Sequence, residues 1–211
     1  MPASTPDLSG AFAEALGLIF PTWCAGCDEV DVLLCDRCLA LVQAHPQRRA
    51  LPGGLEVHSA LEFEGVPARV LRALKEDGRT GLARPLGQAL AATWPYRDAH
   101  VVPVPGSRAS IRRRGYVPTE LLVRRAGLRS ARLLRCVRST HDQRGLGRDE
   151  RTANVAGSLI ATPDAAGAVV VIVDDVVTTG ATLIEAARAL REGGAQVLGA
   201  VTVAATRRRG R

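Results

Sequence analysis

The chain has 211 residues, 46% of them hydrophobic but only 3% aromatic, and a formal charge of +7. That length suits one substantial α/β domain plus a small appendage; the core must be aliphatic, and rings are too few for the base-stacking platforms of single-strand binders. No apolar run approaches membrane-spanning length, and the stretch Ala11 to Phe20 lacks a basic flank and contains Glu14, so neither an inserted helix nor a signal peptide is expected and the protein reads as cytoplasmic.

Leu8 to Phe20 has the spacing of a short amphipathic helix ending before Pro21. Two CxxC pairs follow, Cys24 with Cys27 and Cys35 with Cys38. Thiolates on a short knuckle can face one ion, and two knuckles complete a closed tetrahedral shell, so the four predict a structural zinc site. The competing reading is two disulfides, which a cytosolic setting disfavours. Cys136 is left over and is expected to pack as a small hydrophobe. Pro46, Pro52, Gly53 and Gly54 form a break, which divides the chain into residues 1–50, a helix plus zinc knuckle, and a main domain over 51–211.

In the main domain, EVHSALEFEG predicts a strand, VPARVLRALKEDG a helix with a glycine stop, and Leu82 to Thr93 a second helix. HVVPVP has a strand's content, but Pro103 cannot donate to a ladder, so that strand must end there or meet an irregularity. PGSRASIRRRGY reads as a turn, followed by a helix and the strand RLLRCV. A long polar stretch from Arg138 to about Asn154 then leads into the next strand, and it reads as a lid, with a linker as the alternative. Between Pro105 and Arg151 thirteen arginines stand against four acids, a local balance of +9. Arginine donates bidentately to phosphate and stays charged. Lysine occurs once, at Lys75.

The richest segment is VVVIVDDVVTTGATL, Val169 to Leu183. Five β-branched residues in a row predict a strand buried on both faces of a parallel sheet. Asp174 and Asp175 fall toward its carboxyl end, where α/β sheets bind ligands. Thr178, Thr179, Gly180, Ala181 and Thr182 then open a helix whose apolar positions are Leu183, Ala186, Ala187 and Leu190, stopped by a Gly-Gly pair. Unpaired N–H groups at such a helix start, with threonine hydroxyls beside them, can cradle a phosphate, and Gly180 is expected to let the ligand approach the backbone. Paired carboxylates accept hydrogen bonds from a sugar diol or help hold magnesium. Phosphoribosyl pyrophosphate satisfies all of these groups. AQVLGAVTVAA supplies a last strand.

The strand, two acids and T-T-G-x-T loop resemble the binding signature of type I phosphoribosyltransferases. Over nearly its whole length the chain resembles the ComF family, the competence-associated phosphoribosyltransferase-like proteins. The matching segments are Leu18-Ile19-Phe20-Pro21 with the CxxC pairs, Leu74-Lys75 with Gly78, Val102 to Pro105, and Arg114-Gly115-Tyr116. Thr140, Gln143, Leu146, Arg151 and Asn154-Val155 match as well. One departure is Val117-Pro118, where relatives usually carry Asn-Gln. The resemblance implies an α/β, type I phosphoribosyltransferase-like parallel-sheet domain with a small N-terminal zinc knuckle built from the four cysteines.

As an enzyme, the chain would displace pyrophosphate from the anomeric carbon of phosphoribosyl pyrophosphate with a nitrogen nucleophile. Asp174 and Asp175 would hold the ribose and magnesium, and Thr178 to Thr182 the 5′-phosphate. Arg108, Arg112, Arg113 and Arg114 would hold the departing pyrophosphate, with Arg148 and Arg151 as lid candidates. No general base is identifiable, since His58, His100 and His141 stand alone. The competing class is a non-catalytic sensor or a nucleic-acid-handling protein, with nucleic acid or the competence machinery as partner. A dinucleotide-binding or P-loop enzyme is excluded by the lack of GxGxxG and GK[ST] turns.

Overall fold

The computed structural model describes residues 22–137 and 155–207. The expected helix at Leu8 to Phe20 and the stretch from Arg138 to Asn154 lie outside the described residues. A five-stranded sheet holds the strands β1 (Gln47–Leu51), β2 (Leu55–Glu62), β3 (His100–Pro103), β6 (Val169–Val177) and β7 (Gln196–Ala205), in the spatial order β1-β2-β7-β6-β3. The pairs β2–β7, β7–β6 and β6–β3 are parallel, and only β1 runs antiparallel, against β2. A separate two-stranded sheet pairs β4 (Leu134–Cys136) with β5 (Leu159–Ala161).

Both faces of the large sheet are covered, which is why its central strands read as continuous apolar runs rather than alternating ones. On one face pack α2 (Gly65–Glu76), α3 (Ala83–Ala92) and α5 (Pro118–Arg125), through Val70, Leu71, Leu74, Leu86, Leu90 and Leu122 against Val171, Val173 and Val201. On the other, α6 (Ala181–Glu192) sets Leu183, Ala186, Ala187 and Leu190 against Val57, Val170, Ile172 and Ala200. The β4–β5 pair leans on α6, and a buried glutamate fastens it. Glu185 accepts from the Leu159 N–H at 3.1 Å and from Arg188 at 2.7 and 2.8 Å, while Arg188 also donates to the Leu159 carbonyl at 3.1 Å. A buried carboxylate is tolerable here because it is paired and bonded on both oxygens.

Three features depart from the sequence expectations. β1 begins at Gln47, so the sheet takes in residues on both sides of the expected 50/51 division. A strand, β5, precedes β6 where the sequence reading ran from polar loop straight into it. PGSRASIRRRGY holds not a plain turn but a seven-residue helix, α4 (Arg108–Arg114). Ser107 caps it by accepting the Ser110 N–H at 3.2 Å, and Gly115, at φ 76°, ends it in the left-handed conformation. Together they satisfy both ends of a helix too short to stand on propensity.

Pro103 ends β3 as its missing N–H requires. No helix among the described residues is long and apolar enough to cross a membrane.

Candidate functional site

The four cysteines converge. Cys24, Cys27 and the pair Cys35 and Cys38 bring their sulfur atoms within 4.8 Å of one another, with Cys24 to Cys35 at 3.7 Å and Cys27 to Cys35 at 3.6 Å. Four thiolates at about 2.3 Å from a central zinc stand about 3.8 Å apart along a tetrahedron's edges, so the cluster can hold that ion. All four are free thiols rather than disulfide partners. Burial pushes the Cys24 thiol up, but the N–H groups of Cys35, Gly26 and Cys27 outweigh it and bring its pKa down to about 6. The second knuckle rides on α1 (Asp36–Ala40). The element docks on α2 through Arg69 to Asp28 at 2.6 Å, and Arg79 donates to the carbonyls of Trp23 and Leu33. Four cysteine ligands would leave a bound zinc no open position, the pattern of a structural site.

The second site is built at the carboxyl end of β6. Adjacent residues of a strand face opposite sides, so Asp174 lies on the α6 face beside its register partner Thr202, and Asp175 on the face of α2 and α5. Asp175 is therefore met by Lys75, in the last turn of α2, whose Nζ stands 2.8 Å from its Oδ2. The Asp175 charge raises the Lys75 pKa against the opposing effect of burial. Among the described residues Asp174 has no such cation. Burial first, and the neighbouring Asp175 charge second, push its pKa up to about 7, although Lys75 and the Asp175 N–H, donating at 2.8 Å, pull the other way.

Beyond β6 the chain turns through Thr178 and Thr179 into Gly180, left-handed at φ 87°, and α6 starts at Ala181 with no side-chain cap. Thr179 Oγ1 accepts the Ala181 N–H at 3.3 Å. The first turn of this twelve-residue helix opens on a hollow of about 30 Å³ lined by Val155, Asp174 and residues 176–183. Gly180 serves a purpose the sequence did not reveal. A Cβ there would lie 2.5 Å from Leu51 Cδ1 and 2.8 Å from Cδ2, so its bareness accommodates the first strand's leucine.

A larger cavity of about 440 Å³ adjoins the hollow, sharing Asp174 and Thr182 with it. Lys75, Asp175, Arg113 and Arg114 line it, with Ser107, Ser110, Val117 and Pro118. Arg114 Nε is buried with no hydrogen-bond partner among the described residues. Of the arginines expected here, Arg113 and Arg114 reach the cavity, Arg112 is exposed away from it, and Arg108 is the first residue of α4. Arg148 and Arg151 lie outside the described residues. The departure at Val117-Pro118 falls on the cavity wall, where Pro118 is the first residue of α5.

Sequence reasoning gave no role to three residues that the fold brings in. Lys75 is the chain's one lysine, placed in a helix's last turn before Gly78, and its signals are that singularity and the Leu74-Lys75 segment that resembles the family. Tyr116 donates to the Leu74 carbonyl and so ties the R-G-Y step to the Leu74-Lys75 turn. Arg49 donates to the Thr178 carbonyl at 3.2 Å, fixing the loop from the side of β1.

No curated protein matches the chain. Among solved structures it is similar to a glutamine phosphoribosylpyrophosphate amidotransferase from B. subtilis, at 24% identity and a TM-score of 0.40, over 58% of this chain and 26% of that one. It is also similar to an orotate phosphoribosyltransferase from Mycobacterium tuberculosis, at 18% identity and a TM-score of 0.35, over 80% and 82% of the two chains. A phosphoribosyltransferase from Corynebacterium diphtheriae gives 22% identity and 0.35, over 80% and 81%. The chain thus spans about a quarter of the amidotransferase's length. The family model of the phosphoribosyl transferase domain matches residues 109–211, the stretch that holds β6 with its two acids, the threonine loop and α6, and the architecture is a type I phosphoribosyltransferase-like fold.

Proposed function

We propose that the chain binds phosphoribosyl pyrophosphate and transfers its phosphoribosyl group to a nitrogen nucleophile. The observation that carries this is the shared wall. A helix start that has no cap from Gly180, with its Ala181 N–H on Thr179 Oγ1, and a cavity edged by Lys75, Arg113 and Arg114 meet at Asp174 and Thr182. In this reading Thr178 to Thr182 hold the 5′-phosphate with backbone N–H groups, Asp174 and Asp175 accept the ribose hydroxyls, and the three cations of the larger cavity hold the pyrophosphate. The bond from the anomeric carbon to pyrophosphate oxygen breaks, the nitrogen–carbon bond forms, and the leaving group departs with the electron pair. Preorganised donors to that developing charge contribute about 3 kcal/mol each.

Magnesium belongs to the proposal on the donor set: Asp174 is an oxygen ligand whose anion is disfavoured by burial and by Asp175, a cost that a hard cation relieves. When bound, it would neutralise pyrophosphate charge. The reading also takes up the ComF resemblance, with residues 1–50 as the metal-bearing appendage and a cytoplasmic, competence-linked role.

Calorimetry with phosphoribosyl pyrophosphate and magnesium tests it. The parent should bind, and Asp174→Asn with Asp175→Asn should weaken binding while the fold persists. A parent that does not bind refutes the reading. The sensor alternative draws on Val117 and Pro118, which give the cavity wall apolar side chains where amides would donate. Binding without turnover across a panel of nitrogen acceptors would select it. A nucleic-acid role would instead show affinity that falls steeply with salt.

A further inference from the structure

A second cavity, of about 370 Å³, lies beside the threonine loop at the edge formed by β1, β2 and β7. Gln47, Arg48, Arg49, Ser59, Thr206 and Arg207 line it, and among the described residues Glu62 is its one acid. We propose that this cavity is an anion site for a small carboxylate- or phosphate-bearing molecule, and that its occupancy is coupled to the threonine loop through Arg49. The coupling, unlike the site itself, rests on the function proposed above.

Charge is the first argument. Three guanidinium groups line the cavity beside one carboxylate, Glu62, and Arg207 also reaches Glu64, outside the lining, at 3.7 Å. Glu62 is engaged by Arg207 at 2.7 Å, and Arg207 holds its carboxyl below the usual range against the opposing effect of burial. Arg48 has a long, solvent-screened pair with Glu56 at 3.7 Å, which leaves its charge available to a tighter anionic partner. Guanidinium forks in a recess select planar or tetrahedral oxyanions.

Size and lining make the second argument. The volume lies within the range of small-molecule pockets, at the low end. Among the described residues no aromatic lines it, so recognition would be by charge and hydrogen bonding rather than stacking. The donors of the site are the arginines, since Thr202 donates to the Ala204 carbonyl at 3.1 Å and Ser59 therefore gives its own proton to Thr202 at 2.7 Å.

Arg49 makes the link. Its two Nη atoms donate to the carbonyls of Thr178, at 3.2 Å, and Thr206, at 3.4 Å, the residues that follow β6 and β7. An anion drawing on the same guanidinium competes for those donors, so the Thr178 carbonyl, and the loop it belongs to, responds. A second connection runs along the sheet, from Ser59 to Thr202 and from Thr202 to its register partner Asp174.

The test uses the full chain labelled with 15N-arginine, its Nε–Hε resonances assigned by single Arg→Gln variants. With phosphoribosyl pyrophosphate and magnesium saturating, inorganic phosphate in one arm and malonate in the other are titrated. Saturable shifts at Arg48, Arg49 and Arg207 in either arm are expected, and the better arm identifies the anion class. Arg48→Gln with Arg207→Gln should abolish them while Arg113 and Arg114 still respond to phosphoribosyl pyrophosphate. The anion should also change the phosphoribosyl pyrophosphate Kd by about fivefold more in the parent than in this double variant, since direct competition is common to both. Unmoved or linearly drifting signals at the three arginines overturn the site, and equal Kd changes overturn the coupling. Silence at Arg113 and Arg114 in the parent would instead count against the proposed function, which separates the two failures.

Discussion

Gly180→Ala separates two accounts of the threonine loop. The new Cβ would meet Leu51 Cδ1, Cδ2 and Cγ at 2.5, 2.8 and 3.2 Å, in a backbone at φ 87°. The left-handed conformation costs an alanine about 1–2 kcal/mol, and forcing carbon into a packed site about 1–3 kcal/mol more. The expected destabilisation is therefore about 2–5 kcal/mol, a large part of a domain's stability. Leu51→Ala alone should cost about 2–5 kcal/mol, because Leu51 is buried. In the double variant the alanine at 180 occupies space that the leucine has vacated, so the steric part disappears and the total should fall short of the sum by about 1–3 kcal/mol. Urea midpoints of the four proteins, with slopes compared, measure this. Phosphoribosyl pyrophosphate affinity completes it. If the loop is distorted from behind, affinity lost in Gly180→Ala returns in the double variant; if the side chain blocks the ligand, it does not. Additivity within about 0.5 kcal/mol, or unrecovered binding, would refute the packing account.

Asp174 gives a pH signature. Its folded pKa is raised, to about 7, so the folded state binds the proton more tightly, and stability present below about pH 4 is lost as pH rises to about 7. Urea midpoints should fall over that window in the ligand-free parent and lose this component in Asp174→Asn; an unchanged slope in the variant would exclude the assignment. One zinc per chain should be measured by elemental analysis, and chelation should raise amide exchange over residues 24–38 while sparing β6. Gly26→Ala, whose Cβ would stand 2.5 Å from Cys38 Sγ, should weaken zinc about tenfold in competition with a chelating dye, on the scale of lost outer-shell support. Tyr116→Phe removes the bond to the Leu74 carbonyl, worth about 1 kcal/mol, and should weaken phosphoribosyl pyrophosphate binding about fivefold by calorimetry. In a Lys75→Gln background it should add nothing, and an equal loss there would show that Tyr116 does not act through Lys75.

The legible parts of the chain were those whose cause is local. Five β-branched residues before two acids fix a buried strand, the glycine stop after LIEAARALREGG closes a helix, and CxxC spacing brings thiols together with little help from the rest of the fold. The α4 cap is equally local, Ser107 with a glycine after Arg114, but the four arginines between them mask the short helix's pattern. What stayed hidden depends on distant pairs. Lys75 meets Asp175 a hundred residues on, and Arg49 meets Thr178 across 129. Leu51 fills the space behind Gly180 because β1 joins the sheet edge, and no spacing within either segment encodes that contact. The separation of the two acids onto opposite faces follows from strand period alone, yet what meets each one required the helices to be in place.

Because the chain's one lysine stands in the larger cavity, its side-chain amine gives the protein a built-in reporter. An acylating reagent has a single ε-amino target, with the α-amino group as its internal reference. Lys75 is 31% exposed at the side chain and held to Asp175, so its modification should be slow in the resting protein and slower still under any anion that fills the cavity. Following that one mass increment by intact-protein spectrometry would turn occupancy into a rate, with no substituted residue.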